Sequence, residues 1–190
     1  ARDEKLHVLK QYIANKVANP TTDKTGAPCK KVIVFTAFGD TAEYLYGALK
    51  EWCRHELGVH IALVTGSLCK TTYDRVDFST ILTNFSPRSH QRSLLDNSLV
   101  EEIDILIATD CVSEGQNLQD CDYMINYDIH WNPVRIIQRF GRIDRIGSNH
   151  HEIKLVNFWP TENLEKYINL KNRVEARMAL VDITATGEDD

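Results

Sequence analysis

The sequence alternates between short apolar runs and longer stretches in which apolar residues recur at helical spacing. The runs have the length of strands buried on both faces of a parallel sheet. They cover residues 32–35, 60–64, 103–108, 123–127 and 153–158. Helices are expected between and around them, at residues 4–19, 40–57, 73–85, from 133 through the arginine-rich segment, and 163–181. This alternation predicts an α/β fold, a parallel sheet with helices on both faces.

Local signals suggest where two of these helices begin. Asn132 can cap free backbone N–H groups and Pro133 suits a first helical position, so a helix is expected to open there. Asp40 or Thr41 can cap the helix that follows the first strand. Residues 20–28 are polar and contain glycine and threonine, which predicts a linker.

Polar residues follow four of the predicted strands at the point where each strand ends. They are Thr36, the pair Thr65 and Gly66, the pair Thr109 and Asp110, and Asp128. Because the carboxyl ends of parallel strands meet at one edge of a sheet, these residues are expected to converge there. Ligands of open α/β sheets bind at that edge, so the pattern predicts a binding site.

Composition narrows the class of protein. The 190 residues are 43% apolar and 26% charged, as expected of one globular domain. No apolar run approaches the ~18 residues of a membrane span and no signal peptide is visible, so a cytoplasmic protein without a membrane partner is expected. The five cysteines lack a CxxC pair and predict reduced thiols, with no metal site; His150 and His151 are expected on the surface.

The net charge of −5 opposes a general nucleic-acid binder, whose surface would be basic. Nucleic-acid contact must then be confined to a local stripe. The backbone N–H groups and hydroxyls at the strand ends can hold phosphates without a basic surface, and such contacts do not read sequence. The residues predicted to contact nucleic acid are Thr36, Thr65, Gly66, Thr109 and Asp110. The alternative for each threonine is a helix cap or a strand end.

The arginine-rich segment, residues 138–147, carries the strongest chemical signal. Gln138, Arg142 and Arg145 stand at i, i+4 and i+7, so they share one helix face. Two guanidinium forks pointing the same way suit a multiply charged anion such as a triphosphate. The alternative is a solvated face whose arginines pair with Asp144.

Three segments in chain order resemble motifs IV, V and VI of superfamily 2 helicases and translocases. They are residues 32–37, 109–118 and 138–147. Residues 128–133 and 145–147 are similar to the Swi/Snf-type branch, and residues 113–117 are most similar to its bacterial, RapA-like members. The resemblance implies a RecA-like lobe at residues 29–160, preceded by a helix and linker at 1–28 and followed by a helix and acidic tail at 161–190.

In that family the motifs lie on the second of two RecA-like lobes, and the first lobe holds ATP with its Mg²⁺. The sequence contains no GxxxxGK[ST], so it is expected to be the second lobe alone and inactive as an ATPase. The resemblance implies that Arg142 and Arg145 are arginine fingers and that Gln138 holds the γ-phosphate region. Gly115 would allow close backbone approach, Asn117 would lie near the nucleotide or the interlobe contact, and Asp144 would lie near the nucleotide.

The partners implied are the first lobe and double-stranded DNA, with RNA and a larger machine such as RNA polymerase left open. One departure bears on this choice: Swi/Snf-type proteins usually carry arginine where this chain has Asp110, which disfavours chromatin-type remodelling. The segment at residues 83–98 is longer than the shortest corresponding segment in the family. Within it, residues 86–92 form either a disordered loop or a basic finger. Two alternatives remain, the second lobe of a strand-separating DNA or RNA helicase and a non-catalytic nucleotide-binding module.

Overall fold

The fold was analysed in a computed structural model, which describes residues 2–73, 76–91, 101–112, 116–129, 133–144 and 148–159, with a few residues between 169 and 179. No described helix is long and apolar enough to cross a membrane. The predicted terminal helix at 163–181 lies almost wholly outside the described residues, as do Gly115 and Arg145.

A mixed six-stranded sheet forms the centre of the domain, in the order β5-β4-β6-β3-β7-β8. Its strands in chain order are β3 (Val32–Phe35), β4 (His60–Val64), β5 (Cys69–Thr71), β6 (Ile103–Ala108), β7 (Tyr123–Asn126) and β8 (Lys154–Asn157). Five of them are parallel, and β5 is an antiparallel edge strand paired to β4. The five predicted strands are confirmed to within a residue or two.

Within residues 2–159, the described ranges contain four α-helices that accompany the sheet: α1 (Arg2–Ala18), α2 (Gly39–Trp52), α3 (Phe78–Phe85) and α4 (Pro133–Ile143). A π-helical turn, Cys53–Leu57, continues α2. Gly58 ends it in the left-handed region with φ 67°, which a residue without Cβ adopts at little cost. The predicted helix end near residue 57 is therefore confirmed.

Successive side chains of a strand point to opposite faces of the sheet, and this divides the core into two layers. Val32 and Val34 of β3 face a cluster that contains Leu9 of α1 and Leu45 of α2. The intervening Ile33 and Phe35 face the other cluster, built from α3, α4 and the opposite faces of β4, β6 and β7. Both faces of the sheet are thus covered, which is why its strands read as continuous apolar runs.

Local predictions failed at three places. α3 begins at Phe78 instead of residue 73, because Asp77 caps it by accepting a hydrogen bond from the Thr80 amide at 2.7 Å. The N-cap of α2 is Phe38, which makes no side-chain cap, so neither Asp40 nor Thr41 caps it; Asp40 lies within the first turn. The antiparallel strand β5 follows β4 at a point where the sequence showed only a loop.

The predicted linker at 20–28 is an ordered antiparallel ribbon of β1 (Thr21–Thr22) and β2 (Pro28–Cys29). Polar side chains hold it to the domain. Lys16 of α1 donates to Thr21 Oγ1 at 2.5 Å and to Asp122 Oδ1 at 2.7 Å, and Thr21 also donates to Asp122. The two contacts to Asp122 join residues that are 106 and 101 positions apart, and so no local pattern predicted them.

The carboxyl ends of the five parallel strands lie in one row. Across the sheet, Val64 is level with Ala108, Ala108 with Phe35, Phe35 with Asn126, and Asn126 with Asn157. The amide of the residue that follows a strand then bonds to the neighbouring strand at four places, including Thr36 N to Ala108 O and Thr109 N to Val64 O. The predicted convergence at one edge is confirmed.

Candidate functional site

The candidate site is the row of residues just beyond the strand ends, together with helix α4. Thr36, Thr65 and Thr109 each directly follow the last residue of β3, β4 and β6. Because those last residues are in register, the three threonines come to the same edge of the sheet. Thr65 and Thr109 are half-buried, whereas Thr36 is fully buried.

The three hydroxyls already have partners within the domain. Thr36 Oγ1 donates to Phe38 O at 2.9 Å, and Thr109 Oγ1 donates to the Cys111 Sγ at 3.2 Å. Thr65 Oγ1 lies 3.4 Å from Leu68 O in the turn before β5. Gly66 in that turn is exposed, with open space around it. Thr65, Gly66 and Thr109 are thus the better-placed donors for a phosphate.

Helix α4 presents two different faces. Ile136, Arg139 and Ile143 are fully buried at i, i+3 and i+7. Gln138 is exposed and Arg142 is half-buried on the other side, where they stand one turn apart as the spacing predicted. The helix therefore anchors itself with one arginine while presenting another away from the core.

Arg139 is the residue that the sequence analysis missed. Its Nε donates to Asp110 Oδ1 at 2.6 Å and its Nη1 to Asn126 Oδ1 at 2.9 Å. The guanidinium carbon also lies 5.0 Å from the centre of the Phe35 ring. Arg139 thus ties α4 to the carboxyl ends of β3 and β7 and to the residue that begins the turn after β6. The sequence did carry a signal for this residue. Position 139 lies on the same helix face as the apolar residues Ile136 and Ile143, which is the face expected to be buried, yet it holds an arginine.

Asp110 is shared by two arginines, since Arg135 Nη1 also lies 2.9 Å from its Oδ2. Burial acts to raise the pKa of Asp110, but the hydrogen bonds and positive charges of Arg139 and Arg135 outweigh it, so the pKa lies below its usual value. The carboxylate is therefore ionised and its charge is balanced within the domain. Contact between Asp110 and nucleic acid stays a prediction.

Arg142 differs from its neighbours on α4. Among the described residues no carboxylate forms an ion pair with it, Asp144 two positions further along the chain included. Its backbone carbonyl accepts the Leu118 amide at 3.0 Å, which fixes the end of α4 against the segment after β6. Within the described part of the chain, Arg142 thus differs from Arg135 and Arg139, which both pair with Asp110.

Asn117 supports that same segment. Its backbone carbonyl lies 2.9 Å from His90 Nε2, and its Oδ1 accepts the amide of Gln119 at 3.2 Å. The side chain is half-buried, as is that of Asp144. The Leu118 amide, which follows Asn117 in the chain, donates to the Arg142 carbonyl. This hydrogen bond holds Asn117 near the end of α4.

The basic loop after α3 lies at the other edge of the sheet. Arg88 forms an ion pair with Asp23 of the ribbon, and the amides of Arg88 and Ser89 donate to Asp120 at 2.6 and 3.1 Å. The hydrogen bond from the Thr25 side chain, joined by those from the Ala27 amide and Arg88, holds the pKa of Asp23 well below its usual range, against the effect of burial. Residues 86–91 are therefore docked, and Arg88 is not part of a basic finger.

The arrangement at the strand-end edge fits one side of a phosphate chain. Arg142 and Gln138 offer donors on one face of α4, and a guanidinium binds two phosphate oxygens at once. Asp110, the described carboxylate that pairs with α4, is balanced by Arg135 and Arg139. A full cradle for the phosphates would need groups from a second unit, since the chain has no GxxxxGK[ST] loop.

A doubly covered sheet with polar strand ends and an arginine-bearing helix is the architecture of a RecA-like lobe. Residues 4–147 match the helicase conserved C-terminal domain family. The chain belongs to that family.

Sequence relatives include both unassigned and RNA-directed proteins. The uncharacterized ATP-dependent helicase YqhH of Bacillus subtilis (strain 168) is 28% identical over 160 residues, 84% of this chain and 24% of that protein. The probable ATP-dependent RNA helicase ddx51 of Dictyostelium discoideum is 26% identical over 178 residues, 94% of this chain and 28% of that protein. The chain thus spans about a quarter of the length of these relatives.

Solved structures share the fold. The C-terminal part of the Fun30 ATPase domain superposes with a TM-score of 0.56 at 19% identity, covering 87% of this chain and 44% of that one. A DEAD box protein from Methanococcus jannaschii gives a TM-score of 0.54 at 20% identity, covering 92% and 38%. Both the Fun30 ATPase fragment and the DEAD box protein therefore resemble this lobe in fold.

Proposed function

We propose that this chain is the second lobe of an ATP-dependent nucleic-acid motor and that Arg142 completes an ATP site held by the first lobe. The observation that carries the proposal is the contrast between two arginines on one helix. Arg139 is buried and paired, whereas Arg142 has no carboxylate partner among the described residues. Arg145, one turn further along the sequence, is assigned the same role by the motif that it completes.

The proposed chemistry is charge neutralisation during phosphoryl transfer. ATP is held with Mg²⁺ by the first lobe, and hydrolysis develops negative charge on the transferred group and the leaving oxygen. Closure of the lobes would bring the Arg142 fork to those oxygens, and Gln138 on the same face would orient the γ-phosphate region. A cation delivered by closure couples turnover to the relative movement of the lobes.

The proposed track is double-stranded DNA, contacted through its backbone. Thr65, Gly66 and Thr109 supply neutral donors at the strand-end edge, which suits contact with phosphates and does not read bases. This accords with the net charge of −5, because a few neutral donors on one edge need no basic surface.

The central experiment compares Arg142→Ala with the unaltered complete protein in steady-state ATPase assays with saturating DNA. Loss of an arginine finger should lower turnover by about 10³- to 10⁵-fold, while ATP affinity changes little because the first lobe still holds the nucleotide. Arg54→Ala is the matched control: this surface arginine is remote from α4 and makes one ion pair, 3.7 Å from Glu101. Near-normal turnover in a folded Arg142→Ala protein would refute the assignment.

A second candidate is the second lobe of a strand-separating RNA helicase. It is favoured by Asp110, which stands where Swi/Snf-type proteins usually have arginine, and by the RNA helicase ddx51 among the relatives. Stimulation of ATPase turnover by duplex DNA and not by RNA supports the first candidate, and the reverse supports the second. In either case the 190 residues alone should not hydrolyse ATP.

A further inference from the structure

Three metal-ligating side chains meet at the amino edge of the sheet, opposite the edge that carries α4. Cys29, Asp122 and His150 each offer one ligand atom, and these atoms all lie within 4.8 Å of one another. Cys29 Sγ is 3.3 Å from Asp122 Oδ1, and His150 Nδ1 is 4.0 Å from Asp122 Oδ2. The three residues are buried, with 6%, 3% and 8% of their surfaces exposed.

The fold brings these residues together from three separate segments. Cys29 ends the short strand β2, Asp122 directly precedes β7, and His150 lies before β8. The Lys154 amide donates to Asp122 O at 2.8 Å, which holds the start of β8 to the start of β7. The cluster therefore rests on the sheet itself, which gives its ligand atoms fixed positions. Burial also corrects the expectation that His150 is a surface residue; only His151 is exposed.

We propose that Cys29, Asp122 and His150 bind one Zn²⁺ ion. Thiolate sulfur, imidazole nitrogen and carboxylate oxygen are the ligands that zinc takes in proteins. With zinc–ligand bonds of about 2.0–2.3 Å, tetrahedral ligand atoms lie roughly 3.3–3.5 Å apart. The 4.0 Å between His150 Nδ1 and Asp122 Oδ2 needs only a small contraction to reach that geometry, whereas Cys29 Sγ, now 3.3 Å from Oδ1, must turn from that oxygen towards the ion.

The surrounding groups resemble the supporting contacts of a metal site. Asp122 Oδ1 accepts a hydrogen bond from Lys16 at 2.7 Å, and Oδ2 accepts one from Thr21. A ligating carboxylate is usually oriented by hydrogen bonds of this kind. Zinc would bind through Oδ2, which faces His150, while Lys16 keeps Oδ1. On binding, Cys29 loses its thiol proton to solvent and the sulfur–zinc bond forms in its place.

Lys16 also defines the competing interpretation. Its ammonium alone can neutralise Asp122, and the cluster would then be a buried ion pair with a thiol beside it. Two features favour zinc over that reading. Cys29 and His150 both line an open cleft of about 150 Å³ whose other side chains are both acidic and basic, so an ion can reach the cluster and has room for a fourth ligand such as water. A buried ion pair, moreover, needs neither a thiol nor an imidazole.

The test uses the purified protein after treatment with a chelator, with Zn²⁺ as the only added ligand. Calorimetric titration should show one equivalent bound, and thermal unfolding should shift upward. At a Zn²⁺ concentration about 100-fold above Kd, the ratio of folded to unfolded protein should rise about 100-fold. With Co²⁺ in place of zinc, the spectrum should show tetrahedral d–d bands and a thiolate charge-transfer band.

Cys29→Ser and His150→Gln should abolish both the thermal shift and the cobalt bands. Thr21→Val, which removes one orienting hydrogen bond, should weaken binding by about 10- to 100-fold. The matched controls are Cys111→Ser and His151→Ala, an exposed thiol and an exposed imidazole that should change nothing.

Two results would overturn the proposal. The first is a folded, unaltered protein that gives no thiolate-to-cobalt band, a measurement that does not depend on any variant folding. The second is a zinc-induced shift that persists in Cys29→Ser and His150→Gln, which would place the metal on surface histidines.

Discussion

The Nε atom of Arg139 lies 2.6 Å from Oδ1 of Asp110, and this fully buried guanidinium joins the arginine helix to the sheet. A second bond runs to Asn126 at the end of β7. The position of Arg142, on the other side of the same helix, therefore depends on a buried charge pair that it does not contact.

Asp110→Ala should destabilise the domain strongly. Removing one partner leaves Arg139 buried without its carboxylate, which costs about 3–5 kcal/mol. The double variant Asp110→Ala/Arg139→Met should recover part of that loss, because no unpaired charge remains inside. Urea unfolding measures both, and Arg135→Ala, which breaks the more exposed ion pair to Asp110, serves as the control with an expected cost of about 0–1 kcal/mol. A double variant less stable than Asp110→Ala would contradict this account.

Arg142→Lys in the complete protein should recover only a minor part of the turnover lost in Arg142→Ala. Lysine keeps the charge, but a point charge on a flexible stem cannot bind two phosphate oxygens in a fixed plane. The measurement is steady-state ATPase activity beside an ATP-binding titration and a thermal melt. Restoration of full turnover by lysine would show that charge alone matters at this position.

Nucleic-acid binding by these 190 residues should be weak, independent of sequence and only shallowly dependent on salt. Each neutralised phosphate adds about −0.9 to the slope of log K against log salt on duplex DNA, and hydroxyl contacts add nothing. Thr109→Val should therefore lower affinity without altering the slope. Fluorescence anisotropy over a salt series checks this with a natural and a scrambled duplex, and a steep slope would indicate a basic contact surface instead.

The stability of the domain should fall on mild acidification because of His60. Burial lowers the pKa of His60 below its usual value, outweighing its hydrogen bond to Glu101, and the ring also stacks on Tyr73. As the pH falls, His60 therefore binds a proton in the unfolded state before it does so in the folded state. Stability from this group is complete above about pH 6.5 and is lost as the pH falls through the lowered pKa of the folded state.

Urea unfolding of His60→Gln over a pH series tests this. Below about pH 6.5, the free energy of unfolding of this variant should change less with pH than that of the unaltered protein. His55→Gln, at an exposed position, is the control and should keep the original acid slope. Identical slopes in all three proteins would exclude His60 as the origin.

The sequence by itself determined the elements that repeat a simple period. β3, β4, β6 and β7 were predicted because burial on both faces leaves a nearly unbroken apolar run, whereas β8 at the sheet edge is only partly buried. The convergence of Thr36, Thr65 and Thr109 followed from that, since parallel strands must end at one edge. The shared face of Gln138 and Arg142 followed from helical spacing alone.

Only the tertiary structure decided which polar residues turn inward. Arg139 and Arg142 are the same residue type three positions apart, yet one is buried because Asp110 and Asn126 arrive from distant strands to meet it. Cys29, Asp122 and His150 likewise form no local motif, and only the order of β7 and β8 in the sheet brings them together. Burial of a polar group depends on partners far along the chain, and no period in the sequence encodes them.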